Sequence, residues 1–520
     1  MTWWLEALLA ASPIVLILVA MVLFKRSAAT AGVLGLLLTL ALTLLHFGFP
    51  SLANSDAPRI TGLLGALAEA SFTAASILWI IFGALCIHRL QLSSGAIDTL
   101  RQHLAHLTDD PRLIAILIAW FFALFLEGAA GFGTPAALAA PFLVAFGFSA
   151  VHAVAITLIG YAVGVSFGAL GTPVMVQLAT TPFSPLDIAR ATSELSILSG
   201  AVLLGLMVRQ AHQNAPTTPA PDAPRASIAG WYLLAAAGFL LPMAFIARQV
   251  GPELPTMGAA LVGTTLLILA IKLRGRNTTD TPQPPPQPDD ASPAPMPLWK
   301  AASPYLVVIV LVLLTRQLDT LSALLRSVDI SWQLFDLFHG HLEPLFHPGT
   351  ILILAFLIGA RMQSASWRQT GQAALAALHM LLPVILTLIA MLSISRLMVH
   401  AHMIDALAEA AAHTGSAWPL FAPLIGALGT FITGSATASN IIFTDFQLTT
   451  AEHLGLNPLR LVGAQGAGAA IGNAIAPHSI IAGCASVGIN GHESEVIKRT
   501  LLPATLALSL TGLLVWLLLN

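Results

Sequence analysis

Apolar runs of near-spanning length recur along the whole chain, separated by short polar stretches. They include Leu8–Phe24, Ala31–Leu45, Phe72–Ile87, Leu113–Leu126, Ile228–Ile246, Leu261–Ile271, Leu306–Leu314, Ile351–Ile358, Leu381–Leu392 and Leu501–Leu519. A bilayer core takes about 20 helical residues, so the shorter runs must be lengthened by their flanks or belong to discontinuous helices. Counted this way, the pattern predicts an all-α, polytopic transmembrane protein of roughly 12–14 membrane segments.

Composition points the same way. Of the 520 residues, 57% are hydrophobic and 9% charged, with a mean hydropathy of +0.84. A soluble domain carries about 25% charged residues. The lipid bilayer is therefore the expected solvent. The net charge of −2 says nothing about nucleic acid, but no basic tract exists, and no nucleic-acid partner is expected. Cys86 and Cys484 lie in apolar segments without CxxC spacing, so they read as small core residues. No positively charged region precedes Leu8, and the first apolar run is expected to remain as a helix.

Charge near the segment ends predicts orientation. Lys25-Arg26, Arg89, Arg101, Arg112, Lys272, Arg274, Arg276, Arg361, Arg368 and Lys498-Arg499 mark one side, expected to be cytoplasmic. The stretch with Asp319, Asp329, Asp336 and Glu343 is more acidic, diluted by Arg316 and Arg326. Both termini are then expected outside.

Proline density from Asn277 to Pro297 rules out a membrane span or packed core and predicts a semi-extended cytoplasmic linker. Asn214–Arg225 reads as another exposed loop. The expected organisation is a first membrane half over 1–276, a linker over 277–298 and a second half over 299–520.

The halves echo each other. The first holds Gly128-Ala-Ala-Gly-Phe-Gly-Thr-Pro135 and later Gly168-Ala-Leu-Gly-Thr-Pro173; the second holds Gly434-Ser-Ala-Thr-Ala-Ser-Asn440 and later Gly472-Asn-Ala-Ile-Ala-Pro477. Such interruptions at corresponding positions point to broken or re-entrant helices around a transporter binding site. Small residues also let membrane helices pack closely, but Pro135, Pro173 and Pro477 favour breaks.

In Gly131-Phe-Gly-Thr-Pro135, with Gly133 before it, Thr134 is a natural N-cap and Pro135 a first helical residue. Thr172-Pro173 repeats the pattern. A helix start at membrane depth attracts a carboxylate. Gly434, Ser435, Thr437, Ser439 and Asn440 add uncharged polar groups, giving a small anion-tolerant pocket.

Glu127 ends an apolar stretch, and its desolvation makes it a candidate proton carrier; a structural cap or pair is the plainer alternative. Arg396 lies in an apolar helix and is a candidate partner for a substrate carboxylate or Glu127, unless it snorkels from a helix end. His478, after Pro477, is a second proton-coupling candidate or a structural residue. Asn473 and Gln465 are further pocket candidates. The remaining histidines, among them His103, His106, His339, His341 and His347, lack the H-E-x-x-H spacing of a zinc site, and no metal or cofactor is expected. Asp187, Arg190 and Glu194 read as a solvated helix start. No phosphate-loop lysine is present, and Glu127, Arg396 and His478 lack the spacing of an enzyme active site.

Phe125-Leu-Glu-Gly-Ala-Ala-Gly-Phe-Gly-Thr-Pro135 closely resembles the signature segment of the bacterial lactate permease family. Phe167–Pro173, Phe431–Asn440 and Ile480–Gly488, with Glu493-Ser494 after it, add to the likeness, which runs from the first helix to the last. The resemblance implies uptake of lactate, glycolate or a similar 2-hydroxymonocarboxylate with a proton across the bacterial cytoplasmic (inner) membrane, with a homo-oligomer left open. Likeness to other carboxylate transporters with re-entrant hairpins suggests a mobile transport domain against a scaffold. Sodium coupling with a different carboxylate is the runner-up. Three positions depart from the pattern: Ala436 where family members often carry Asp or Asn, Asn473 where lysine can stand, and His478 where glutamine can follow the proline. Losing one acidic and one basic group together leaves local charge balanced, and Arg396 is expected to supply the missing positive charge.

Overall fold

The computed structural model describes residues 3–519 except 25, 50–58, 106, 109, 132, 215–227, 275–295 and 335–336. Nearly all of the expected linker at 277–298 and of the Asn214–Arg225 loop lies outside the described residues.

Helix dominates, as the apolar periodicity requires. Among the described residues, ten helices are long and apolar enough to cross a membrane, and two bent pairs raise the total to as many as twelve. That is the lower edge of the expected range. The difference lies in the helices Thr134–Ala145 and Pro348–Met362, which are 12 and 15 residues long and too short to span alone. The outer helices carry exposed Leu8, Leu64, Leu233, Phe245 and Leu517 toward lipid. The spans Pro111–Ala129 and Ala150–Leu178 are instead almost wholly enclosed by protein. The chain is a multi-pass membrane protein.

The long helix Arg59–Ser93 packs along Trp367–His400, which also packs on Ala28–Leu42; Trp418–Thr433 packs on Pro458–Gly472. The only sheet among the described residues is a two-stranded antiparallel hairpin, Ile330–Leu334 with Phe338–Leu342. Its Phe338 is fully buried against the ring of His400.

Both readings of the small residues hold, at different positions. Gly426, Gly468 and Gly472 let the helices Trp418–Thr433 and Pro458–Gly472 approach so closely that a Cβ would strike the facing backbone. Gly133, Gly171 and Gly434 instead take left-handed φ of 77°, 80° and 71° where the chain breaks between helices.

The basic residues sort by side. Gln91, just after Arg89, accepts from Gln363 Nε2, just after Arg361, and Gln210 donates to the carbonyl of Arg499. These contacts gather Arg89, Arg361 and Arg499 at one end of the bundle. At the other end arginines are matched by carboxylates: Arg248 and Arg460 with Glu194, and Arg316 with Glu253. Glu194, read from sequence as part of a solvated helix start, therefore ties three helices together, although Asp187 does cap its own helix through Ser184.

Candidate functional site

Four interruptions of the helical path meet at one cavity of about 870 Å³. The first follows the helix Ala123–Ala129. Gly131 and Gly133 turn the chain with positive φ, and the helix Thr134–Ala145 begins. Thr134 is thus the first helical residue and not the N-cap; its Oγ1 donates back to the Gly131 carbonyl at 2.8 Å. Gly133 holds the cap position because only its left-handed backbone closes the turn.

The second interruption repeats this device. After a 3-10 turn at Ala162–Phe167, three consecutive residues, Ala169, Leu170 and Gly171, are left-handed. For a non-glycine residue that conformation costs about 1–2 kcal/mol, so Ala169 and Leu170 are strained. Thr172 Oγ1 donates to the Ala169 carbonyl at 2.6 Å, as Thr134 does to Gly131.

The third interruption is Gly434-Ser435, between the helices Trp418–Thr433 and Ala436–Leu454. Ser435 caps the second helix, its Oγ accepting from the Ala438 N–H. The fourth is the 3-10 turn Asn473–Ile475 and extended Ala476, from which the helix Pro477–Ser486 starts. The helix starts at Ala436 and Pro477 both open on the cavity, which is lined there by Ser435, Thr437 and His478. Unpaired N–H groups and dipole ends make such a place favourable to an anion.

Glu127 lines the same cavity and is only 4% exposed. Its carboxyl lies so close to Gly168 that a Cβ there would overlap Oε1. Among the described residues, Glu127 and the exposed Arg26 are the charged side chains on the wall. His478 faces the cavity, exposed, with its Cβ close against Gly434. Asn473 also lines it: Nδ2 donates to Tyr161 Oη at 3.0 Å, and Oδ1 accepts from Ser479 Oγ at 2.8 Å.

Of the residues singled out from sequence, Glu127, Gly131, Gly133, Gly434, Ser435, Thr437, Asn473 and His478 come together on this wall. Thr134, Thr172, Ser439, Asn440 and Arg396 do not, each for a visible reason. The two threonine hydroxyls close their own turns. Ser439 donates to the Gly426 carbonyl at 2.7 Å, and Gln465 donates to Ser439 Oγ at 3.2 Å. Asn440 Nδ2 donates to the Pro173 carbonyl at 2.9 Å, joining the third interruption to the second. Arg396 neither snorkels nor meets Glu127. Its guanidinium pairs with Asp445 at 2.7 Å, and Ser395 Oγ donates to the same Oδ2 at 3.0 Å. It is therefore not available to replace a missing charge in the cavity.

Sequence reading missed Asp445 and Tyr161. Asp445 carried a usable signal, since an ionisable residue inside an apolar helix calls for a partner. Tyr161 carried none; only the fold brings it to Asn473.

A family model described as L-lactate permease matches residues 6–336 and 336–520. An L-lactate permease of Streptococcus iniae is 29% identical over 87% of this chain and 92% of its own length. The glycolate permease GlcA of Escherichia coli (strain K12) is 29% identical over 98% of this chain and 95% of its own. Among solved structures, Neisseria gonorrhoeae MtrF, presented as illuminating a class of antimetabolite efflux pumps, shares the fold. Its TM-score is 0.51 at 14% identity, covering 95% of each chain.

Proposed function

Since the chain belongs to the L-lactate permease family, we propose that it is a secondary active transporter importing lactate, glycolate or a related 2-hydroxymonocarboxylate with protons across the cytoplasmic membrane. The relatives named for L-lactate and glycolate supply the substrate class. One observation carries the mechanism: a buried carboxyl, Glu127, shares a cavity with two helix starts.

In this reading the substrate carboxylate rests on the first free N–H groups of the helices that start at Ala436 and Pro477, those of Ala436, Thr437 and His478, and its 2-hydroxyl meets Ser435, Thr437 or Asn473. Gly131, Gly133 and Gly434 keep side chains out of the space. An anion beside an ionised Glu127 would place two like charges in low dielectric, which is strongly unfavourable. Glu127 must therefore be protonated while substrate is bound, and that requirement couples the two. His478 adds a polar, protonatable group at the mouth. Arg26 lies at the opening on the side where Arg89, Arg361 and Arg499 gather, so the cavity faces the cytoplasm by the excess of basic residues there.

The test is uptake of labelled L-lactate, D-lactate and glycolate into proteoliposomes under an imposed proton or sodium gradient. Saturable uptake driven by protons alone, with mutual competition among 2-hydroxymonocarboxylates, is the expected result. Strict dependence on sodium, or no uptake of any of the three, would overturn the reading.

A further inference from the structure

A second cavity, of about 770 Å³, lies toward the opposite end of the bundle. The helix Arg59–Ser93 gives Ile77 and Ile80 to this one and Ile81 to the first; the helix Gly168–Leu178 gives it Met175 where it gives the first Pro173. The two cavities therefore approach each other end to end across a thin apolar layer. Glu69 lines the second cavity while remaining 7% exposed.

Glu69 belongs to a buried group that the substrate cavity does not use. Its Oε2 is 2.9 Å from His400 Nε2. One turn back on the same helix, Arg396 pairs with Asp445. All four side chains are at least nine-tenths buried, and Arg396 and His400 stand one turn apart on the same helix. Among the described residues the wall of the second cavity also carries Arg326, paired with Glu343, together with His339 and His347, the latter hydrogen-bonded to Ser76. The helix Ala28–Leu42 contains no titratable residue, nor does Gly168–Leu178. From the hairpin the group receives Phe338, while His341 turns to Asp329. His402 and Asp405 pair with each other at exposed positions, and Arg316 is committed to Glu253.

The charge count is then decisive. Two carboxylates face one permanent cation, so with His400 neutral the group carries one uncompensated negative charge. A lone charge buried at membrane depth is costly, and one proton removes it. We propose that Glu69 and His400 form a proton-binding site loaded from the second cavity. Binding adds one N–H or O–H bond within the pair and nothing else. The state of the pair reaches the substrate cavity through Arg396 and Asp445, because Asp445 sits on the helix whose start, at Ser435 and Ala436, lines that cavity. This inference rests on the proton-coupled reading above.

The experiment compares Glu69→Gln and the double variant Glu69→Gln/His400→Gln with the unmodified protein in proteoliposomes. Both variants leave Arg396 and Asp445 balanced, so both retain a neutral buried group without a proton. Two rates are measured: L-lactate accumulation under a proton gradient, and exchange of labelled for unlabelled L-lactate with no gradient. The expected result is a fall of at least tenfold in the ratio of accumulation to exchange in both variants. An unchanged ratio overturns the inference, and so does parallel loss of both rates in the two variants, which marks a purely structural pair. If the unmodified protein itself fails to accumulate L-lactate under a proton gradient, the proton-coupled reading is what has failed.

Discussion

Asn473 donates from Nδ2 to the hydroxyl oxygen of Tyr161 at 3.0 Å, tying the fourth interruption of the chain to the segment just before the second. Asn440 does the same between the third interruption and the helix after the second, through the Pro173 carbonyl. The cavity wall is thus assembled from distant parts of the sequence and fixed by amide groups. A small anionic substrate requires that fixity, since it offers few atoms with which to order a loose site.

Gly168→Ala should abolish transport without unfolding the protein. The new Cβ overlaps Glu127 Oε1 and forces the carboxyl from its position. Gly371→Ala is the control: it lies in an exposed part of a helix, nothing approaches its would-be Cβ, and it should gain about 0.5–1 kcal/mol. Uptake rates and thermal midpoints in detergent separate the two.

Arg396→Gln and Asp445→Asn should each destabilise by about 3–5 kcal/mol, because each leaves one buried ion without its partner. Replacing both with apolar residues of similar volume should cost less than either single change. Thermal midpoints of the three variants decide the matter.

Asn440→Ala removes the donor to a buried Pro173 carbonyl and should cost about 1–3 kcal/mol. The expected signature is a lower thermal midpoint together with reduced uptake, as the third and second interruptions part.

His478→Ala should raise the KM for L-lactate several-fold while leaving the thermal midpoint unchanged. The ring faces the cavity at an exposed position and has no hydrogen-bond partner among the described residues. Uptake measured across substrate concentrations tests it.

Much of the site was legible in the sequence because glycine and proline act locally. Gly133 and Gly171 before Thr-Pro, and Gly434 before a capping serine, mark backbone that cannot continue a helix, and each sits where the helical path breaks. The role of each hydroxyl and amide was not legible. Thr134 and Thr172 look like helix caps, yet they close the preceding turn, because a left-handed glycine already occupies the cap position. Arg396 and Asp445 are 49 residues apart, and His400 and Glu69 are 331 apart. Composition announces that such ions need partners; only the packing of Trp367–His400 against two other helices says which.

The central claim is that substrate anion and a protonated Glu127 occupy one cavity. It is tested most directly by measuring L-lactate affinity of the detergent-solubilised protein from mildly acidic to mildly alkaline pH, beside Glu127→Gln. The account predicts that affinity in the unmodified protein weakens as pH rises, by up to tenfold per unit where a single proton must bind with the anion, and that the glutamine variant loses the part of this dependence that Glu127 supplies. A glutamine variant that keeps the full pH dependence of the unmodified protein would contradict it.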